Sequence, residues 1–435
     1  MKEKIRSSIK VTIGDDQKEK IVLDTPFDPH FDLMNFHLPT LDSFHDTRSE
    51  CDSLRCLLDS EKFKNSNDAL PCAIGTTEGN EACVIDLVKM PNLLIAGSTG
   101  TGKSTLCHSM IFSLLMKKHP ADLKLVMIDL KGLEFNYYNR IVRHYLAKMP
   151  SANDDIVTDA DNAICTLKSL GIEIDQRVEL LKSANCRNVE EYNETFKARK
   201  LLPTEGHRYL PYIVLVIDDY SLLISSKGKE ASEKLLKLLG MGKAVGIHSI
   251  IGTSRVSSDV FSNQMKSCIP ARIVFRVNSA SESRSLLDMV GANTLGEYGE
   301  MMFLIPGNSV TKFNCAAVSS DDIKGFTEFI GCQIGYPESY FLPDVRDPDD
   351  RWDDYLDNGE RDSLFEEAAR IVVQTQQGST TMIQRKLKIG YNRSGRIIDQ
   401  LEAAGIVGPF MGSHYREVKV ANEFALEQIL RDLDD

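Results

Sequence analysis

The stretch NLLIAGSTGTGKSTLCHSMIFSLLM, residues 92–116, decides the fold. It opens with an apolar run of strand length after Pro91 and closes with TLCHSMIFSLLM, an apolar helical stretch. Between them Gly97-Ser98-Thr99-Gly100-Thr101-Gly102-Lys103-Ser104 fits the spacing G-x-x-x-x-G-K-[ST]. Strand, glycine-rich loop and helix in that order make a phosphate cradle. Glycines let successive backbone N–H groups turn inward, the helix N-terminus adds positive potential, and Lys103 reaches the β and γ oxygens of a nucleoside triphosphate. Ser104 offers its hydroxyl to Mg2+, so residues 97–104 together with Thr105 are the expected contacts to ATP and Mg2+.

Such a loop needs a carboxylate from a neighbouring strand end. IVLVID ends at Asp218, which is the expected Mg2+ partner of Ser104, although a carboxylate there also suits the cap of a turn after a core strand. Asp219 beside it stands where a water-orienting group belongs, on an arm one methylene shorter than glutamate. Further strand-length runs are VIDL (84–87), LKLVMIDL (123–130), HSIIGTS (248–254), ARIVFRV (271–277) and EMMFLI (300–305). Strands separated by helical stretches over residues 81–336 predict a large α/β domain with a mostly parallel sheet and right-handed crossovers.

The 435 residues, 42% hydrophobic, suffice for two or three domains with their own cores. Residues 1–80 are polar and broken by Pro26, Pro29 and Pro39, and they read as an irregular arm. Residues 337–362 form an acidic linker, with nine acids against three arginines over 344–362. Residues 363–420 reverse the balance, with eight Lys or Arg against five acids. There SLFEEAARIVVQT, STTMIQRKLKI and NRSGRIIDQLEAAGIV show helical spacing and SHYREVKV suits a closing strand, so a small winged-helix unit is expected, followed by a tail at 421–435.

The net charge of −12 excludes a uniformly basic nucleic-acid coat, so any DNA contact must come from local patches or an assembled pore. Ten scattered cysteines with no C-x-x-C pair suggest neither a disulfide framework nor a zinc knuckle, and a reducing cytoplasm fits best. No run is long and apolar enough to predict a membrane span.

VIDLVKMPNLLIAGSTGTGKST resembles the phosphate-loop region of the FtsK/SpoIIIE family of DNA translocases. LVMIDLKGLEFNYYN (125–139) is similar to the family's strand carrying D-P-K and a following Glu, IVLVIDDYSLLI to its magnesium strand, and residues 269–304 to its closing RecA-like segment. FDPHFDLMNFHLPTLDSF is similar to the stretch before the motor in some members. MIQRKLKIGYNRSGRIIDQLEAAGIVGP resembles the family's DNA-reading winged-helix γ domain. The resemblance covers about 84–335 and 363–420. Residues 46–80 are short for the ring-forming α domain, so a reduced α-like segment is expected.

What the resemblance implies is an ATP-dependent motor on double-stranded DNA, assembled as a homo-oligomeric, hexameric ring, with roles in chromosome partition and cell division. It places Asn392, Arg396 and Asp399 where base-reading side chains belong. Their spacing puts them on one helix face, a pattern that a solvated face also shows. Arg385, Lys386, Lys388, Arg393 and Arg416 stand as phosphate contacts.

Three positions depart from the family. Asp219 replaces the usual Glu after the magnesium Asp, Gly252-Thr253-Ser254-Arg255 replaces A-T-Q-R at the sensor strand, and Lys243 falls where the trans-acting arginine finger is expected. Lysine keeps the charge but loses the planar fork that grips two phosphate oxygens. These changes motivate a second reading, a nucleotide-gated DNA-binding or scaffold relative with weak or no ATP hydrolysis.

Overall fold

The unbroken apolar runs become strands buried on both faces, as a parallel sheet with helices on either side requires. A computed structural model describes residues 9–13, 19–23, 26–43, 53–152, 154–257, 260–305, 307, 309–345, 362, 364–387, 391–408 and 416–432. The chain divides into two compact units, Met1–Lys148 with Asp154–Tyr340, and Met149–Asn153 with Phe341–Asp435.

The first unit contains an antiparallel pair, β1 (Ile9–Ile13) and β2 (Glu19–Leu23), and the short strand β7 (Ala147–Lys148). Its main sheet has nine strands: β3 (Pro71–Thr77), β4 (Ala82–Asp86), β5 (Asn92–Ala96), β6 (Leu123–Ile128), β8 (Tyr212–Ile217), β9 (Ile247–Thr253), β10 (Ala271–Phe275), β11 (Glu300–Leu304) and β12 (Thr311–Asn314). Their order is β4-β3-β12-β11-β10-β5-β9-β8-β6. β10, β5, β9, β8 and β6 run parallel, whereas β11, β12, β3 and β4 extend the sheet antiparallel.

The helices of this unit are α1 (Leu54–Asp59), α2 (Glu61–Lys64), α3 (Lys103–Lys117), α4 (Ala160–Ser183), α5 (Val189–Lys197), α6 (Tyr220–Met241, kinked at Gly228), α7 (Asn263–Cys268), α8 (Ala280–Leu287) and α9 (Ser320–Gly331). α3 is the central one. Leu106, Met110, Ile111, Phe112, Leu114 and Leu115 are all fully buried, and burying each such side chain contributes about 1.5–3 kcal/mol. Ser109 Oγ donates to Ala73 O at 2.8 Å and Ser113 Oγ accepts from Ala73 N at 3.0 Å, which fastens the phosphate-loop helix to β3.

That attachment revises the expectation of an irregular arm over residues 1–80. Leu54, Leu57, Leu58, Phe63, Leu70 and Cys72 are buried in the core shared with α3 and β5. Residues 26–43 also lie along the unit, with Phe27 edge-on to Phe196 at 5.0 Å and Phe36 at 6.1 Å from Tyr145.

A buried ion cluster braces the opposite end of the sheet. On α4, Arg177 Nε donates to Glu173 Oε1 at 2.8 Å, and its Nη1 donates to Pro211 O at 2.8 Å and Val245 O at 2.9 Å. Arg208 Nη2 donates to both oxygens of Glu173. Burial alone would raise the Glu173 pKa, but the two guanidiniums hold it below its usual value.

In the second unit α10 (Phe365–Thr375), α11 (Thr380–Leu387) and α12 (Tyr391–Ala403) share a core built on Phe365, Ala369, Val372, Ile383, Ile397 and Leu401. Antiparallel bridges Gly378↔Arg416 and Val407↔Val418 supply the strand pairing of a wing. Residues 421–435, read from sequence as a tail, instead carry α13 (Glu423–Asp432), whose Leu426 and Leu430 enter the same core. Most of the acidic linker, at 346–361, lies outside the described residues. Among the described residues no helix is long and apolar enough to cross a membrane.

Candidate nucleotide site and its neighbours

The loop at 97–104 leaves β5 and opens α3 as its pattern dictates. Gly97 N donates to Thr253 O at 3.3 Å and Ser98 N to Arg276 O at 2.8 Å, so the loop is suspended between the ends of β9 and β10. Gly100 (φ 80°) and Gly102 (φ 118°) take left-handed conformations. A Cβ on Gly102 would come within 3.0 Å of the Phe275 ring, so Phe275 crowds the loop from below.

Among the described residues, the N–H groups of Thr99, Gly100 and Gly102 have no hydrogen-bond acceptor, and they precede the free first-turn N–H groups of α3. This cradle fits a polyphosphate. The Lys103 ammonium folds back onto Ser98 O at 2.7 Å. Burial lowers its pKa, while Asp219 and Asp218 work in the other direction.

Ser104 Oγ donates to Asp218 Oδ1 at 3.0 Å, which brings together the two oxygens expected to hold Mg2+. A hydroxyl and one carboxylate suit a cation that takes its remaining oxygens from phosphates and water. Asp218 is buried, and its pKa is raised by that burial first and then by the carboxylates of Asp129 and Asp219. Lys131 Nζ stands 3.9 Å from Asp218 Oδ2 and 3.3 Å from Asp219 Oδ2.

Asp219 is the N-cap of α6 and is fully engaged. Its Oδ1 accepts from Ser221 N at 3.2 Å, Ser221 Oγ at 2.6 Å and Ser254 N at 3.1 Å, and its Oδ2 accepts from Ser254 Oγ at 2.7 Å and from Lys131. Burial works against its charge, yet the donors from Ser221 and Ser254 hold its carboxyl below the usual carboxylate range. Gly252 makes this junction possible. A Cβ there would lie 2.0 Å from Asp218 O, so only glycine lets the end of β9 approach β8 this closely.

Three groups in this corner belong to the segment matched to the family's D-P-K strand and its following Glu, and sequence reasoning gave them no role in the site. Asp129, just past β6, accepts from the N–H groups of Lys131 (3.2 Å), Gly132 (3.0 Å), Glu134 (2.7 Å) and Phe135 (3.1 Å) and so shapes the following turn. That turn carries Lys131 to Asp219 and sets Glu134 beside α3, with its Oε2 4.0 Å from His108 Nε2. Glu134 has a raised pKa, from burial first and then from Asp218 and Asp129. The signal was present: LVMIDL, like IVLVIDD, is a buried strand ending in aspartate.

A model of the FtsK/SpoIIIE family matches residues 53–258, and a model of the Ftsk gamma domain matches residues 359–421. The chain belongs to the FtsK/SpoIIIE family. It is 40% identical over 386 residues to the DNA translocase FtsK of Chlorobaculum tepidum, covering 88% of this chain and 47% of that protein. It is 36% identical over 375 residues to the DNA translocase FtsK of Helicobacter pylori, covering 86% of this chain and 42% of that protein. The chain thus spans less than half the length of these curated relatives. Among solved structures, the conjugation coupling protein TcpA matches with a TM-score of 0.50 at 22% identity, over 72% of this chain and 78% of that one. The cytoplasmic domain of the type VII secretion ATPase EccC of Thermomonospora curvata matches with 0.55 at 21%, over 68% and 36%. These two establish a shared fold.

Two of the departures from the family pattern, Asp219 and Ser254, are therefore bonded to each other, and Gly252 in the same strand permits the contact. Lys243, the third, is exposed in the turn before β9. Since Thr253 at the far end of β9 touches the phosphate loop, seven strand residues, roughly 20 Å, separate Lys243 from that loop.

In the γ domain, Asn392, Arg393 and Arg396 occupy α12 and Arg385 occupies α11, but their side chains lie outside the described residues, as does Lys388 altogether. Lys386 is exposed. Asp399 accepts from Arg416 Nη2 at 2.6 Å, and Glu402 accepts from Arg416 Nη1. Arg416 is only 13% exposed and is spent on tying the wing strand to α12, which revises its assignment as a phosphate contact.

Proposed function

We propose that the chain is an ATP-dependent double-stranded DNA translocase whose γ domain selects the DNA sequence. The observation that carries this reading is the combination, in one chain, of the Ser104–Asp218 pair under an open phosphate cradle and a winged-helix unit matching the family's γ domain. Backbone N–H groups of residues 99–104 bind the phosphates while those of Gly97 and Ser98 hold the loop to β9 and β10, Lys103 leaves Ser98 O to reach the β and γ oxygens, and Thr105 continues the first turn of α3. Ser104 and Asp218 hold Mg2+, which when bound offsets charge between the β and γ phosphates. Asp219 fixes the end of β8 relative to β9.

The remoteness of Lys243 from its own site supports action on a neighbour's nucleotide, hence a homo-oligomeric ring around duplex DNA, hexameric by family resemblance. Asn392 and Arg396 read base edges from α12 while Arg385, Lys388 and Arg393 hold phosphates. A cytoplasmic setting supplies both ATP and chromosomal DNA. Translocation is tested by ATP-dependent displacement of a third strand from duplex DNA. Displacement that needs ATP and is lost in Lys103→Ala supports the motor, and its absence from protein that binds both ligands refutes it.

One observation favours the second reading, a nucleotide-gated DNA-binding relative with weak or no hydrolysis. Asp219, in the position of the water-orienting glutamate, has both oxygens committed to protein donors.

A further inference from the structure

If Asp219 is committed to Ser221, Ser254 and Lys131, the attacking water needs another acceptor. Three carboxylates other than Asp219 come to this corner or near it. Asp129 is consumed by four backbone N–H groups, and Asp218 receives the Ser104 hydroxyl at the end of β8. Glu134 differs from both. Its side chain is 37% exposed, with its Oε2 4.0 Å from His108 Nε2.

Ser104 and His108 are one helical turn apart on α3, so Glu134 lies along the helix face that leads from the phosphate cradle. His108 is buried and neutral, with a pKa pushed down to about 4 by burial, and its Nδ1 lies 2.9 Å from the Tyr138 hydroxyl. That hydrogen bond fixes the ring, whose Nε2 faces Glu134. The carboxylate thus lies over a fixed ring and keeps part of its surface open to solvent.

We propose that Glu134, and not Asp219, is the carboxylate that holds the attacking water in ATP hydrolysis. The inference rests on the ATPase reading above. The water oxygen bonds to the γ phosphorus as the bond from that phosphorus to the β–γ bridging oxygen breaks, and ADP leaves with the electron pair. The proton released by the water passes to the Glu134 carboxylate and on to solvent. The long arm of Glu134, entering from the turn after β6, replaces the reach lost where Asp219 stands in place of glutamate.

The test compares Glu134→Gln, Glu134→Asp and Asp219→Asn in the full chain with duplex DNA, reading Mg-ATP affinity, turnover, the chemical state of bound nucleotide and melting temperature. Glu134→Gln is expected to bind Mg-ATP within about twofold of wild type, to lose turnover by about 100-fold or more, and to yield bound ATP rather than ADP on quenching. Glu134→Asp, which keeps the charge, recovers part of the rate. Asp219→Asn is expected to lower the melting temperature and, assayed where it is folded, to lose less than tenfold in turnover. Wild-type turnover in Glu134→Gln, or a fall in its ATP affinity matching its fall in rate, overturns the proposal. So does a larger turnover loss in folded Asp219→Asn than in Glu134→Gln. Absence of hydrolysis in the wild type itself refutes the ATPase reading, and the role of Glu134 falls with it.

Discussion

Ser254 Oγ donates to Asp219 Oδ2 at 2.7 Å, so two positions at which this chain departs from its family meet in one hydrogen bond. The bond joins the end of the strand that carries Asp218 to the strand on which the phosphate loop hangs. Ser254→Ala removes the donor and leaves a buried carboxylate less satisfied, a change that costs about 1.5–3 kcal/mol for a bond to a charged group. A melting temperature reduced by several degrees with ATP affinity unchanged is the expected result. An unchanged melting temperature would show that the junction adds nothing to stability.

Gly252→Ala places a methyl group 2.0 Å from Asp218 O, which the backbone can accept only by parting β8 from β9. Overpacking of this kind costs typically about 1–3 kcal/mol, and here it also displaces Asp218 from Ser104. Equilibrium unfolding and Mg2+-dependent nucleotide affinity should both weaken. If neither does, the close approach is not a constraint.

Much of this corner was legible in the sequence. Gly97 to Ser104 and the strand ending at Asp218 announce their geometry because both patterns are local, a loop on a strand end and a carboxylate on its neighbour. The saturation of Asp219 was not legible, because it depends on Ser254, which reaches it only through the pairing of β8 with β9. Residues 53–80 were misread for the same reason. α1 and α2 are short and polar on one face, β3 is interrupted by a register shift between Ala73 and Gly75, and only docking against Ser109 and Ser113 of α3 marks them as core. α13 is half apolar, with Leu426, Ile429 and Leu430 at helical spacing, so its signal was present in the sequence, and Leu426 and Leu430 gain meaning from α10.

The Glu173, Arg177 and Arg208 cluster predicts an acid limit to stability. Its folded pKa lies below the usual 4.5, so the cluster's contribution is complete above about pH 4.5 and is lost as pH falls through the lower folded value. Glu173→Ala leaves the fully buried Arg177 without its counter-charge and should cost about 3–5 kcal/mol at pH 7. Urea unfolding from pH 3 to 7 checks both, and a variant that retained the wild-type acid transition would contradict the assignment.

In the γ domain, Arg396→Ala should relax preference at one base position by about 1–3 kcal/mol, whereas Lys388→Ala weakens all sequences alike. Equal loss on matched and scrambled duplexes for Arg396→Ala would argue against base reading. Arg416→Ala is expected to act through stability, since its guanidinium is held by Asp399 and Glu402.

Lys103→Ala should abolish nucleotide binding or turnover and leave duplex binding through residues 363–420 intact, because the phosphate loop and the γ domain lie in separate compact units. Loss of both from a folded variant would contradict that separation.

The most direct measurement is steady-state ATP hydrolysis by the full chain with and without long duplex DNA, with Lys103→Ala as the blank. Strong stimulation by DNA over the blank is the predicted result and means that the site works despite the changes at Asp219, Lys243 and Ser254. A rate no higher than the blank, from protein shown to bind both ATP and DNA, would contradict the motor reading.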